Sequence, residues 1–124
     1  MSTLMERGLD FAARAIPVTA GGTIVYQRVD DHVSVSAAFG RTEFQVEDSN
    51  GVRIVRSDRD FIVRRDLLTL SGSLVTPTRG DRITLVDPSG RFGDVFEVLA
   101  PAGADVYAED PTGTLLRIHG KKLS

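Results

Sequence analysis

The chain has 124 residues, 41% hydrophobic and 26% charged, with a formal net charge of -2 and no cysteine. That length suits one domain able to bury roughly two-thirds of the surface of its unfolded chain, and the balance favours neither disorder nor a membrane fold. Without cysteine there are no disulfides, no thiolate catalysis and no cysteine-ligated zinc, and the slight acidity does not draw nucleic acid to the molecule as a whole.

Arginine supplies 13 of the 15 cations. Because it pairs bidentately with carboxylates and is enriched at interfaces, the bias hints at protein partners. Residues 1–10 carry Glu6 and Asp10 and lack the apolar run of a secretory signal, so the protein is expected to stay in the cytoplasm of the cell that makes it.

Residues 3–16 predict the single helix. Leu4, Gly8, Phe11, Ala12 and Ala15 lie on one stripe, Thr3 and Glu6 have the spacing of a capping box, and Pro17 ends the segment. The stripe is thin, so this helix must lean on the body of the protein or on a neighbouring subunit. After it the period changes to two. Strands are expected at 23–28 behind a Gly21-Gly22 turn, at 33–41, at 43–47, at 52–56 behind a hairpin turn at Asp48-Ser49-Asn50-Gly51, whose Asn-Gly pair needs positive φ at both residues, and at 60–65. Residues 67–70 make a short turn packed by leucines. Further strands follow at 82–87, 92–99, 105–109 and 114–119, separated by Pro/Gly/Ser turns.

The expected fold class is therefore mainly β: a small β-barrel or sandwich of about seven to nine short antiparallel strands with one N-terminal helix. One domain covers 1–124, with a helix and arm at 1–20 and the barrel with its long loops at 21–124. The expected core comprises Phe44, Val46, Ile54, Phe61, Val63, Ile83, Leu85, Phe96, Val98 and Ile118, and the phenylalanines as a set read as core residues rather than stacking platforms.

Motifs for chemistry are sparse. His32 and His119 have no metal-binding spacing, no nucleophile elbow surrounds a serine, and no phosphate loop is present. Aspartates cluster at 30–31, 48, 58–60 and 81, where turns are predicted and a carboxylate can accept local backbone N–H groups. Arg53, Arg56, Arg59, Arg64 and Arg65 form a concentrated positive series opposed by Asp58, Asp60 and Asp66. Such balanced charge suits a protein interface better than a phosphate backbone.

Residues 79–81 spell Arg-Gly-Asp. The flanks explain it as a turn motif: Pro77 fixes an extended approach, Gly80 permits the tight turn and Asp81 satisfies local amides before a strand begins. Adhesion would also need export, which the sequence gives no reason to expect.

In order along the chain, RDFIV (59–63), DL (66–67), PTRGDRI (77–83), FEVLAP (96–101) and DPTGTLLRIHGKK (110–122) resemble the head-to-tail joining proteins of long-tailed bacteriophages, the stopper or head-completion connectors. The motifs cover the C-terminal half, and the N-terminal half is similar in element order. Gly120 stands where the family's ending carries threonine. The resemblance implies a non-enzymatic structural protein without cofactor. It would assemble as a homo-oligomeric ring, with about six or twelve copies as is usual among such joining proteins, closed by rotation, in the neck of the virion. One face would dock on the portal-adaptor connector and the other would receive the tail terminator or tail tube protein, with loops helping to hold packaged DNA non-specifically. Ala37, Ala38, Phe39, Gly40 and Arg41, within the loosely patterned stretch 36–42, are the candidate lumen loop or subunit contact. A bent strand with a bulge at Gly40 is the alternative there. Two rival functions stand beside the connector: a minor tail or baseplate protein, and a monomeric small-barrel nucleic-acid-binding module.

Overall fold

A computed structural model describes residues 11–101 and 104–123. The first two strands are the longest. β1 (Phe11–Arg28) and β2 (Asp31–Asp48) form a hairpin turning at Val29 and Asp30, with register shifts between Ile16 and Thr19 and between Thr19 and Gly22. Pro17, which has no N–H to give to a ladder, falls in the first shift. Gly21 falls in the second, where the two backbones come so close that a Cβ there would sit 1.7 Å from the Ala37 carbonyl oxygen.

The chain continues through β3 (Gly51–Arg56), β4 (Arg59–Arg64), a 3-10 turn (Arg65–Leu67), the small separate hairpin β5 (Thr69–Leu70) and β6 (Ser73–Leu74), then β7 (Arg82–Val86), β8 (Phe92–Val98), β9 (Tyr107–Glu109) and β10 (Leu115–Lys122). Six strands close on themselves in the order β1-β7-β8-β10-β4-β2, with β2 returning to β1. β3 extends outward from the far half of β2, and β9 adds to β10. All these pairings are antiparallel.

Alternation places one set of side chains inside the barrel. Val63 stands opposite both Ala37 and Leu116, and Phe61 opposite both Phe39 and Ile118, so these positions share the interior with Ile24, Tyr26, Val35, Ile83, Phe96 and Val98. Leu68 and Leu70 join the same cluster from the connection after β4, as expected for a turn packed by its leucines. Phe61 meets Phe39 and Phe96 edge-on at 5.7 and 5.2 Å between ring centres, an arrangement favoured by the ring quadrupoles. Each such fully buried aliphatic or aromatic side chain contributes about 1.5–3 kcal/mol relative to exposure.

Several expectations need correction. The N-terminal helix is not shown: residues 3–10 lie outside the described residues, and Phe11 to Ile16 run in β1, paired with β2 from Val46 to Arg41. A thin stripe of small residues gives a helix little to bury, and strand pairing decides instead. The expected strands at 33–41 and 43–47 are one strand, and among the described residues ten strands form in place of about seven to nine. Ile54 is not a core residue but 55% exposed, because β3 lies outside the closed barrel. Phe92, at the start of β8, is 73% exposed. The expected turn from Asp48 to Gly51 forms, with Asp48 pairing with Gly51, but Gly51 alone takes positive φ, 111°, where an Asn-Gly centre needs it at both residues.

Candidate functional site

Two buried carboxylates organise the polar interior. Asp60 points to the outer side of β4, opposite the interior position of Phe61, yet it is fully buried, because β2, the β3–β4 turn and β10 converge over it. Its carboxylate accepts from the Thr42 hydroxyl, from Ser57 Oγ at 2.6 Å, from Arg117 Nη1 at 2.8 Å and from His119 Nδ1 at 2.9 Å. Ser57 Oγ in turn accepts the Thr42 N–H at 3.0 Å, and the His119 ring meets Phe44 edge-on at 5.1 Å. Burial alone would push the Asp60 carboxyl up. The hydrogen bond and charge of His119, with the hydroxyls of Ser57 and Thr42, outweigh it and hold the group down at about 2.

Serine, histidine and aspartate thus meet in one place, but not as a nucleophilic triad. The Ser57 hydroxyl donates to the carboxylate rather than to the imidazole, so the serine–histidine contact of a triad is not made. The geometry is that of a clasp, tying the β2–β3 extension to the barrel wall.

The second carboxylate is Asp81, the aspartate of the Arg-Gly-Asp stretch, only 5% exposed. It accepts from the buried Tyr26 hydroxyl, from Arg28 Nε at 3.1 Å and Nη2 at 2.8 Å, and from the Thr78 N–H at 3.1 Å. Burial pushes the Tyr26 hydroxyl up and the bond to Asp81 pushes it further, while that same carboxylate raises Arg28. Gly80, at φ 95°, gives its N–H to the Val98 carbonyl at 3.0 Å, and Pro77 is buried beside the turn. Pro77, Gly80 and Asp81 therefore lock the approach to β7 against β1 and β8. An integrin-type ligand presents its aspartate outward, and this one is enclosed by four donors.

The arginine series does not converge. Arg53 and Arg56 lie on β3, Arg59 begins β4, and Arg64 and Arg65 lie at its far end, five residues and about 17 Å of strand away. Arg56 pairs with Glu43 at 2.9 Å, Arg64 with Asp66 at 2.6 Å, and Arg65 with Glu109. Arg59 lies over the rings of Phe39 and Phe96, at 4.9 and 5.6 Å from their centres, closing one end of the barrel with a cation–π contact. Residues 36–42 form no loop. They are strand within β2, where Ala37 is buried and Ala37 to Gly40 pair with Val63 to Asp60 of β4; Arg41 alone of the five candidates is exposed. Pairing on both sides leaves this backbone nowhere to loop.

Sequence reasoning missed the clasp. It read Asp60 as a turn aspartate and His119 as a strand residue. Their meeting depends on the register that sets His119 opposite Asp60, and one strand at a time carries no sign of it. The spacing of Ser57 to Asp60, three residues across a tight turn, is the one local signal. Among the described residues no three metal-ligating side chains gather.

A closed antiparallel barrel whose buried carboxylates are occupied by internal donors defines a small β-barrel protein. The family model for phage head-tail joining proteins matches residues 2–124, and the chain belongs to that family. No curated protein and no solved structure matches it. Membership makes it a bacteriophage structural component that joins head and tail, and the N-terminal half, where the sequence resemblance rested on element order, is included in the match.

Proposed function

We propose that the protein is the stopper-type subunit of the phage neck, forming a ring between the portal-adaptor connector and the tail terminator or tail tube, and helping to retain packaged DNA in the channel. The observation that carries this reading is the family match over essentially the whole chain, which leaves the barrel itself as the joining device. The polar interior supports it: hydroxyls, imidazole and guanidinium groups are spent on holding strands together, so the work of the molecule lies in shape and surface. A net charge of -2 fits a subunit that lines or caps a DNA channel without clamping the phosphate backbone, since strong attraction would resist ejection.

A stop codon in the reading frame tests the proposal in the phage. The expected phenotype is separate, complete tails and DNA-filled heads that leak their DNA, both restored by the protein supplied from a plasmid. Normal tailed particles lacking the protein, or tails with defective tips on intact heads, would contradict the neck assignment and favour a minor tail or baseplate role. Tight, salt-sensitive DNA binding by a stable monomer would favour a nucleic-acid-binding module instead.

A further inference from the structure

Two strands of the sheet have a neighbour on one side only. Among the described residues β3 pairs with β2 and β9 with β10, and no strand covers their other edges. For β9 the direction is explicit. The Val106 carbonyl accepts from the His119 N–H at 2.9 Å, and the Asp110 N–H donates to the Leu115 carbonyl at 3.1 Å, so by alternation the backbone groups of Tyr107 and Glu109 point away from β10.

An uncovered edge is a template for another strand, and proteins guard edges with proline, inward charges or very short strands. β9 is short. β3 is six residues long without proline, and it presents Val52 and Ile54, each 55% exposed. The two edges also differ in sign. Gly51–Arg56 holds two arginines and no carboxylate, whereas residues 105–110 hold three carboxylates, Asp105, Glu109 and Asp110, and no cation; within the chain Arg56 also pairs with Glu43, Glu109 with Arg65, and Asp110 with the amides of its own turn. At the end of β3 a cleft of about 220 Å³ lies between Val55 and Arg56 on one side and Leu99, Pro101 and Lys121 on the other.

We infer that the outer edge of β3 pairs with the outer edge of β9 on the next copy of this chain. The inference rests on the ring reading above and gives it a contact. Because each copy offers one edge of each kind, the contact is head-to-tail and propagates until the rotation closes. Pairing β3 with β3 of a second copy would bring two arginine-bearing edges together and gain nothing from charge.

The chain contains no cysteine, so introduced thiols report unambiguously. In the full-length protein, Ile54→Cys and Ala108→Cys place one thiol on each edge without altering charge, and a short bismaleimide tolerates small differences in register. The doubly substituted protein at high concentration is expected to give a covalent ladder beyond the dimer. A mixture of the two single variants should stop at the heterodimer, and each variant alone should give no cross-link. Adding Arg53→Glu with Arg56→Glu should abolish the ladder, and further adding Asp105→Arg with Glu109→Arg should restore it. Cross-linked dimers from Ile54→Cys alone would overturn the inference in favour of a two-fold contact. A sedimenting ring without any ladder would overturn it while leaving the ring intact. A monomer without a ladder at every concentration would remove edge pairing as a contact of self-assembly.

Discussion

Asp60 shows how one side chain can set the pH range of a small barrel. Its folded pKa, about 2, lies below the ordinary carboxylate value of 3.8. The folded state therefore binds the proton less readily than the unfolded state, so its contribution is complete above about pH 4 and is lost as the pH falls toward 2. The difference corresponds to roughly 2 kcal/mol. Asp60→Asn should lose about 3–5 kcal/mol near neutrality, because Arg117 is left partly buried without its charge partner. It should also show a shallower fall in stability between pH 4 and 2 than the parent, and urea titrations across that window measure both. A second comparison separates the two members of the other cluster. Tyr26→Phe removes one of several donors to Asp81 and should cost about 1 kcal/mol. Asp81→Ala leaves Tyr26, Arg28 and the Thr78 amide without their shared acceptor and should cost two to three times as much, roughly 2–3 kcal/mol for buried donors left unsatisfied. Equal midpoints for the two variants in thermal melts would contradict the hub role.

Among the elements, the β1–β2 hairpin depends most on a single backbone position. A methyl group at Gly21 would overlap the Ala37 carbonyl, whereas one at Gly22 meets nothing within 4 Å. Gly21→Ala is thus expected to destabilise by several kcal/mol or prevent folding, because backbone rather than a flexible side chain must move. Gly22→Ala should stay within about 1 kcal/mol of the parent. Soluble yield and melting temperature of the pair decide the point. Other elements show what the sequence did and did not disclose. The turns at Asp48 to Gly51, Pro88 to Gly90 and Pro111 to Gly113 were legible, because glycine, proline and aspartate act locally: Asp87 accepts the Ser89 and Arg91 amides, and Asp110 those of Thr114 and Leu115. Phe61, Val63, Ile83, Phe96, Val98 and Ile118 were legible as core by alternation. Ile54 alternates just as well, yet it lies on a strand outside the closed barrel, and pattern alone cannot say which strands close. Phe11 to Ile16 carry a weak helical stripe that loses to pairing with β2. The Asp60 clasp was hidden for a related reason: its five members come from three separate stretches, which meet only because β2 and β10 pair on either side of β4.

At the scale of the whole molecule, the order of short motifs from Arg59 to Lys122 carried the resemblance to head-to-tail joining proteins, and the family match extends it to residues 2–124. The barrel gives each of these motifs a place. RDFIV supplies the interior residues of β4 with Asp60 between them, PTRGDRI supplies the locked turn into β7, FEVLAP ends β8, and LLRIHG brings Leu116, Ile118, Arg117 and His119 to β10. Each motif is a piece of wall or a clasp, and assembly is left to outer faces and edges, which are less constrained by folding and least legible from one chain. The most direct measurement is a symmetry-averaged electron cryomicroscopy reconstruction of the virion neck. The expected density is a ring of these barrels between the portal-adaptor connector and the tail, with copies in lateral contact. Barrel density at the tail tip, or a neck complete without it, would contradict the account.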